Sequence, residues 1–200
     1  MTTVTPALID DSIRALCSRL VPDGVPIYVS VHPEHDAEIE DCFVNVARKV
    51  NREGGTILHG WQIWDWVGVL VEAEFHAIWV SPDGANVDLT PKKDGEQRIL
   101  FLSDPARRWT GQYIDNVRQP LVVTQLFKDL EAVSKRLVLE YNRGERVSEG
   151  VALDPKVVIP LQELKQAIGH LLNTGGNVES LCPCGSSRKY KNCHRKILYP

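Results

Sequence analysis

Four residues near the end of the chain, Cys182, Cys184, Cys193 and His194, follow a Cys-x-Cys-x8-Cys-His spacing. Three thiolates and an imidazole are the donors a tetrahedral Zn2+ site takes. Four protein ligands close such a site, so one structural ion is expected there and no open catalytic position. The Cys-x-Cys pair supplies two donors from one tight turn. Gly185 lets the backbone reverse after the second, and Cys193 with His194 closes the site from the far side of a small loop. Free thiols or an adventitious disulfide pair are the competing readings, and the spacing favours the metal.

A second constellation lies in the body: Cys42, His76 and Asp88. Cys42 falls in the N-terminal half of a predicted helix, where a nearby helix start favours thiolate over thiol. His76 belongs to a long predicted strand whose residues alternate. Val69, Val71, Ala73, Phe75, Ala77 and Trp79 form one face; Leu70, Glu72, Glu74, His76 and Ile78 form the other. Asp88 follows across an "SPDG" turn. The even offset from His76 places the two side chains on one face, directly or diagonally opposed. A thiol, an imidazole and an orienting carboxylate are the parts of nucleophilic acyl transfer. Cys42 would attack, His76 would shuttle the proton, and Asp88 would fix the imidazole tautomer. The backbone N–H of Cys42 would be one oxyanion donor, with His35 a candidate for the second. The competing reading is packing: Cys42 shares an apolar face with Ile39, Val46 and Val50, and free cysteine is among the most buried residue types.

Other groups carry less. Glu72 and Glu74 beside His76 read as a polar cleft wall, with a metal site or polarisation of His76 as alternatives. His32, His35 and Asp36 read as capping and solvation at a helix start, with metal binding as the alternative. Trp61 and His59 share one strand face, and Trp64 and Trp66 the other, so at least one set is core. Ala106–Trp109, "ARRW", reads as a solvated loop or an anion contact.

The elements that must position these residues follow from hydrophobic period and punctuation. Helices are expected over Ala7–Leu20, over 32–55 with Gly54-Gly55 as the stop, over Pro120–Tyr141 and over Leu161–Leu172. Strands are expected over Ile27–Val31, Thr56–Trp66, 68–80 and 85–91, with one more at Arg98–Leu102. Residues 92–119 otherwise read as loop. The expected class is α+β: an antiparallel meander packed on the Cys42 helix. A body over 1–120, a helical segment over 121–175 packing on it, and a knuckle over 180–200 make up the chain.

Two resemblances attach to these residues. "CPCGSSRKYKNCHRK" resembles the SEC-C motif, the SecA-type C-terminal zinc knuckle, with Ser187 where the second glycine of Cys-Pro-Cys-Gly-Ser-Gly usually stands. That resemblance implies a structural zinc and a surface that docks on protein, an acidic protein or the ribosome. No phosphate-binding loop of a motor is present. "HAIWVSPDGANVDLTP" resembles the His-to-Asp hairpin of the transglutaminase-like, papain-related superfamily. Over about residues 36–91 the order Cys42, His76, Asp88 and the helix-then-strands layout match, which implies peptidase, amidase, deamidase or transglutaminase-type chemistry.

Composition bounds the rest. With 200 residues and 43% hydrophobic content, the chain can bury a core. Its net charge of −3 combines +5 over residues 181–200 with −8 over the first 180. The body is therefore not expected to bind nucleic acid or anionic lipid over a broad surface, whereas the tail suits either of these or an acidic protein. No membrane span or secretory signal is read, and the cysteine usage points to a reducing compartment, the cytoplasm by default. Two functions compete: a thiol-dependent hydrolase or acyl transferase carrying a zinc module, and a non-enzymatic adaptor that binds protein through its zinc tail.

Overall fold

The computed structural model describes residues 3–147 and 150–199. They divide into two compact units, one of residues 3–111 with 116–119, the other of residues 112–115, 120–147 and 150–199.

In the first unit, α1 (Asp11–Leu20) starts where the Asp10 carboxylate accepts the Ile13 N–H at 2.9 Å. The strands β1 (Ile27–Val31), β2 (Thr56–Trp66), β3 (Leu70–Val80), β4 (Asn86–Asp88), β5 (Arg98–Ser103) and β6 (Val117–Pro120) are joined in the order β2-β5-β1-β4-β3-β6. β2 also pairs with β3, so five strands close into a small barrel and β6 adds to β3. The β2–β3–β4 part is antiparallel as expected, but β1 inserts beside β4 as a parallel neighbour, with Val31 opposite Asp88. The result is a mixed barrel rather than a simple meander. Closure depends on Gly60, which faces both His76 of β3 and Ser103 of β5. A Cβ there would lie 2.2 Å from the Leu102 carbonyl oxygen, so only glycine admits the close approach of β2 and β5.

Alternate residues of β3 serve two cores. Ile78 packs with Val29, Val31, Ile99 and Phe101. Ala77 packs with Cys42, Val46 and Leu89, which fastens α2 (Cys42–Glu53) to the sheet. Both faces of the strand are thus buried, and strict polar alternation is lost.

The helix expected from residue 32 starts only at Cys42. Residues 32–41 instead fold back beside α2, where their acids meet its cations. Glu34 pairs with Lys49 at 2.7 Å and Arg52 at 3.0 Å, and Asp36 with Arg52 at 2.7 Å. Asn45 grips this segment by accepting the Glu38 N–H and donating to the Glu38 carbonyl. Those contacts satisfy polar groups that a continuous helix would have left to solvent, and Glu40 takes a left-handed φ of 66°.

The second unit holds α3 (Gln125–Arg143), the hairpin β7 (Glu145–Val147) and β8 (Gly150–Ala152), and α4 (Pro155–Asn173). α4 starts six residues earlier than expected. Asp154 caps it and Pro155 occupies its first turn, while Pro160 lies inside the helix rather than at its start. Two 3-10 turns, Tyr190–Asn192 and His194–Ile197, follow. No helix among the described residues is long and apolar enough to cross a membrane.

Candidate functional site

In the second unit the chain reverses after Cys184 through Gly185 at φ 77°, then returns through Ser187 at φ 58°. Ser187 holds a conformation that favours glycine. The Cys182 N–H donates to the Arg188 carbonyl at 2.8 Å and fixes the base of the loop. The ligand atoms of Cys182, Cys184, Cys193 and His194 all lie within 4.8 Å of one another. Cys182 Sγ is 3.1 Å and Cys193 Sγ 3.7 Å from His194 Nδ1; Cys184 Sγ is 3.5 Å from Cys193 Sγ. Tetrahedral zinc with bonds of about 2.3 Å to sulfur and about 2.0 Å to nitrogen separates its ligands by about 3.5–3.8 Å. The donor set and its size therefore fit a zinc ion held by these four residues. Ser186 Oγ sits 3.3 Å from both Cys184 and Cys193 sulfurs. Its hydroxyl, and then its backbone N–H, pull the Cys184 thiol down to about 6.

The knuckle is built into this unit. Tyr190 is fully buried and donates its hydroxyl to Asp129 of α3 at 3.1 Å. Arg195 Nε reaches the same oxygen at 2.8 Å, and Gln125 Nε2 donates to the other at 3.0 Å. The basic residues expected to decorate the surface are largely engaged. Lys189 and Lys191 both pair with Glu179, and Arg195 with Asp129.

In the first unit Cys42 is the first residue of α2, and the Asp41 side chain makes no capping bond. The barrel register sets Trp79 opposite Val87 and Val80 opposite Asn86, which leaves Asp88 diagonal to His76. His76 Nε2 lies 3.2 Å from Asp88 Oδ1. Cys42 packs on Ala77 and Leu89, the residues that directly follow His76 and Asp88, and lies close enough to the imidazole to bear on its protonation. The structure thus brings Cys42, His76 and Asp88 together, with exposures of 6%, 5% and 0%.

Lys92, Gln62 and Thr90 join the cluster. Lys92 Nζ stands 2.6 Å from Asp88 Oδ2 and donates to Gln62 Oε1 at 3.1 Å. Asp88 Oδ1 also accepts the Thr90 N–H at 2.9 Å. The His76–Asp88 and Asp88–Lys92 approaches are short charge contacts not aligned as hydrogen bonds. Burial opposes charge on His76, but Cys42 and Asp88 outweigh it and push the imidazole up to about 10. Burial likewise opposes charge on Asp88, and His76 with Lys92 outweighs it, holding the carboxyl at about 2. Lys92 lies in a loop after Pro91, where no period announces burial. Gln62 did leave a trace, as a polar residue inside an apolar strand.

The remaining candidates resolve into structural roles. Glu72 pairs with Arg118 at 2.5 Å, and Glu74 accepts the Trp64 indole N–H at 2.8 Å. The ligand atoms of Glu34, His35 and Asp36 cluster, but Arg52 and Lys49 already neutralise the two acids. The His35 side chain is 90% exposed and joins no buried site. Trp61 is core, bonded to Asp104 at 3.0 Å, and Trp66 is buried. Arg107 lies over the Trp61 ring, Arg108 bonds carbonyls of its own loop, and Trp109 stacks on Phe43 with ring centres 4.6 Å apart.

The model of the SEC-C motif matches residues 180–196, the stretch that holds all four candidate metal ligands. No solved structure matches the chain significantly.

Proposed function

We propose that the protein is a thiol-dependent acyl-transfer enzyme of transglutaminase-like type, hydrolase or transferase, with a zinc-stabilised helical unit. The observation that carries this is the His76–Asp88 contact of 3.2 Å with Cys42 at the first residue of α2. These residues are scattered in sequence, and packing alone gives no reason to assemble a thiol, an imidazole and a buried carboxylate.

The Cys42 thiolate attacks an amide or ester carbonyl, with the uncapped amides at the start of α2 facing the developing oxyanion. With Nε2 turned to Asp88, Nδ1 is the nitrogen left for the thiol side. The His76 imidazolium gives its proton to the leaving amine or alcohol as the carbonyl–heteroatom bond breaks, and the acyl group stays on sulfur. Water or an acceptor amine then attacks the thioester, giving its proton to His76 and returning the thiolate. An exposed Glu40–Lys93 ion pair joins the segment before Cys42 to the loop that carries Lys92. A zinc ion held by Cys182, Cys184, Cys193 and His194 would supply folding energy to its own unit.

The test is incubation of the zinc-loaded protein with a p-nitrophenyl ester, followed by mapping of the acyl adduct. An adduct on Cys42 that His76→Ala prevents is expected. Acylation of other residues alone, or none, contradicts the proposal.

A further inference from the structure

Beyond the three residues of the nucleophilic constellation, we propose that Lys92 is a positioning residue whose ammonium anchors the Asp88 carboxylate with Oδ1 turned to His76. This rests on the acyl-transfer reading above. Asp88 is fully buried, so each of its oxygens needs a partner. Oδ1 has the Thr90 N–H and the imidazole. Oδ2 accepts no aligned hydrogen bond and has the Lys92 ammonium at 2.6 Å as its counter-charge. The Lys92 side chain is itself only 8% exposed, an environment an ammonium rarely occupies without a specific counter-charge. Gln62, which is 1% exposed, accepts from the same ammonium at 3.1 Å and fixes its direction from β2. The chain of contacts therefore runs from the barrel wall through Gln62, Lys92 and Asp88 to His76.

A lysine that merely neutralised a buried acid would serve equally well from any side. Lys92 sits on the oxygen away from His76, so it leaves Oδ1 for the imidazole and resists rotation of the carboxylate. Cys42 from α2 and Asp88 from β4 are the charges that bear on His76; His76 and Lys92 are those that bear on Asp88.

Lys92→Gln keeps a donor and removes the charge, and Lys92→Arg keeps both. The readouts are the rate of Cys42 alkylation by iodoacetamide at pH ~6 and the carboxyl titration of Asp88, followed by NMR. In Lys92→Gln the alkylation rate is expected to fall on the order of tenfold to a hundredfold, and the Asp88 midpoint should rise by about one pH unit. Lys92→Arg should restore both. If wild-type Cys42 is alkylated fast at pH ~6 and Lys92→Gln keeps that rate, Lys92 has no positioning role and the acyl-transfer reading stands. Where wild-type Cys42 is not alkylated in the folded protein, the two proposals fall together. Should Lys92→Gln not fold, Gln62→Leu, which removes the acceptor that steers the ammonium, must slow the alkylation; an unchanged rate overturns the inference.

Discussion

Tyr190→Phe deletes one oxygen from the contact between knuckle and helix and leaves the buried ring in place. The lost bond is a hydroxyl donating to a fully buried carboxylate. Such charge-assisted bonds are worth about 1.5–3 kcal/mol. At 3.1 Å this one is longer than the usual O–H···O separation, which places it near the lower end. Asp129 keeps Arg195 and Gln125, so the carboxylate is not stranded and no larger penalty follows. Burial, then the Asp129 charge, holds the Tyr190 phenol far above its ordinary value, so it donates at any working pH. Tyr190 lies inside the loop that the metal ligands close, so its docking is coupled to metal binding. A loss of about 1.5–2 kcal/mol therefore lowers zinc affinity about tenfold to thirtyfold. Competition with a chelating dye measures it. Tyr141→Phe is the control, because the Tyr141 hydroxyl only accepts from Gln162 at the surface. Zinc affinity within about twofold of wild type in Tyr190→Phe would refute the coupling.

Gly60→Ala is expected to cost about 3 kcal/mol or more, because the new Cβ meets the Leu102 carbonyl and the Phe101 ring at the barrel seam. Urea unfolding followed by tryptophan fluorescence reads it, and a loss below about 1 kcal/mol contradicts the account of closure. Stability should also carry two pH arms. Asp88, lowered from 3.8 to about 2, contributes fully above its ordinary value, and that contribution is lost as pH falls through about 2. His76, raised from 6.5 to about 10, contributes fully below its ordinary value and loses that contribution as pH rises through about 10. Urea midpoints across pH in wild type and Asp88→Asn check both: the acid arm should vanish in the variant and the alkaline arm should shrink. Identical profiles would contradict the ion-pair assignment.

Local chemistry was legible where the signal was local. Ile27–Val31 and Thr56–Trp66 form strands with the expected bounds, because β-branched and aromatic runs between turn residues have no competing helical period. The even offset from His76 to Asp88 across a tight turn predicted a shared face, and the ladder register provides it. The Cys-x-Cys-x8-Cys-His spacing likewise predicted four converging donors. What was not legible depends on distant partners. The start of α2 was misplaced because Glu34 and Asp36 look like first-turn acids, yet they pair with Arg52 and Lys49 across a folded-back segment. Barrel closure rests on one glycine facing two strands. Lys92 and Arg195 look like surface charges, and only the buried carboxylates they meet reveal otherwise.

The measurement that bears most directly on the central claim is alkylation of Cys42 by iodoacetamide across pH ~5 to ~9, with zinc bound to protect the knuckle thiols. Cys17 serves as an internal reference, since burial pushes its thiol up to about 11. An activated thiolate–imidazolium pair predicts fast labelling of Cys42 near pH ~6 that His76→Ala abolishes, with Cys17 unlabelled throughout. Labelling of Cys42 only on unfolding, or at a rate indifferent to His76→Ala, would contradict the claim and leave Cys42 as core.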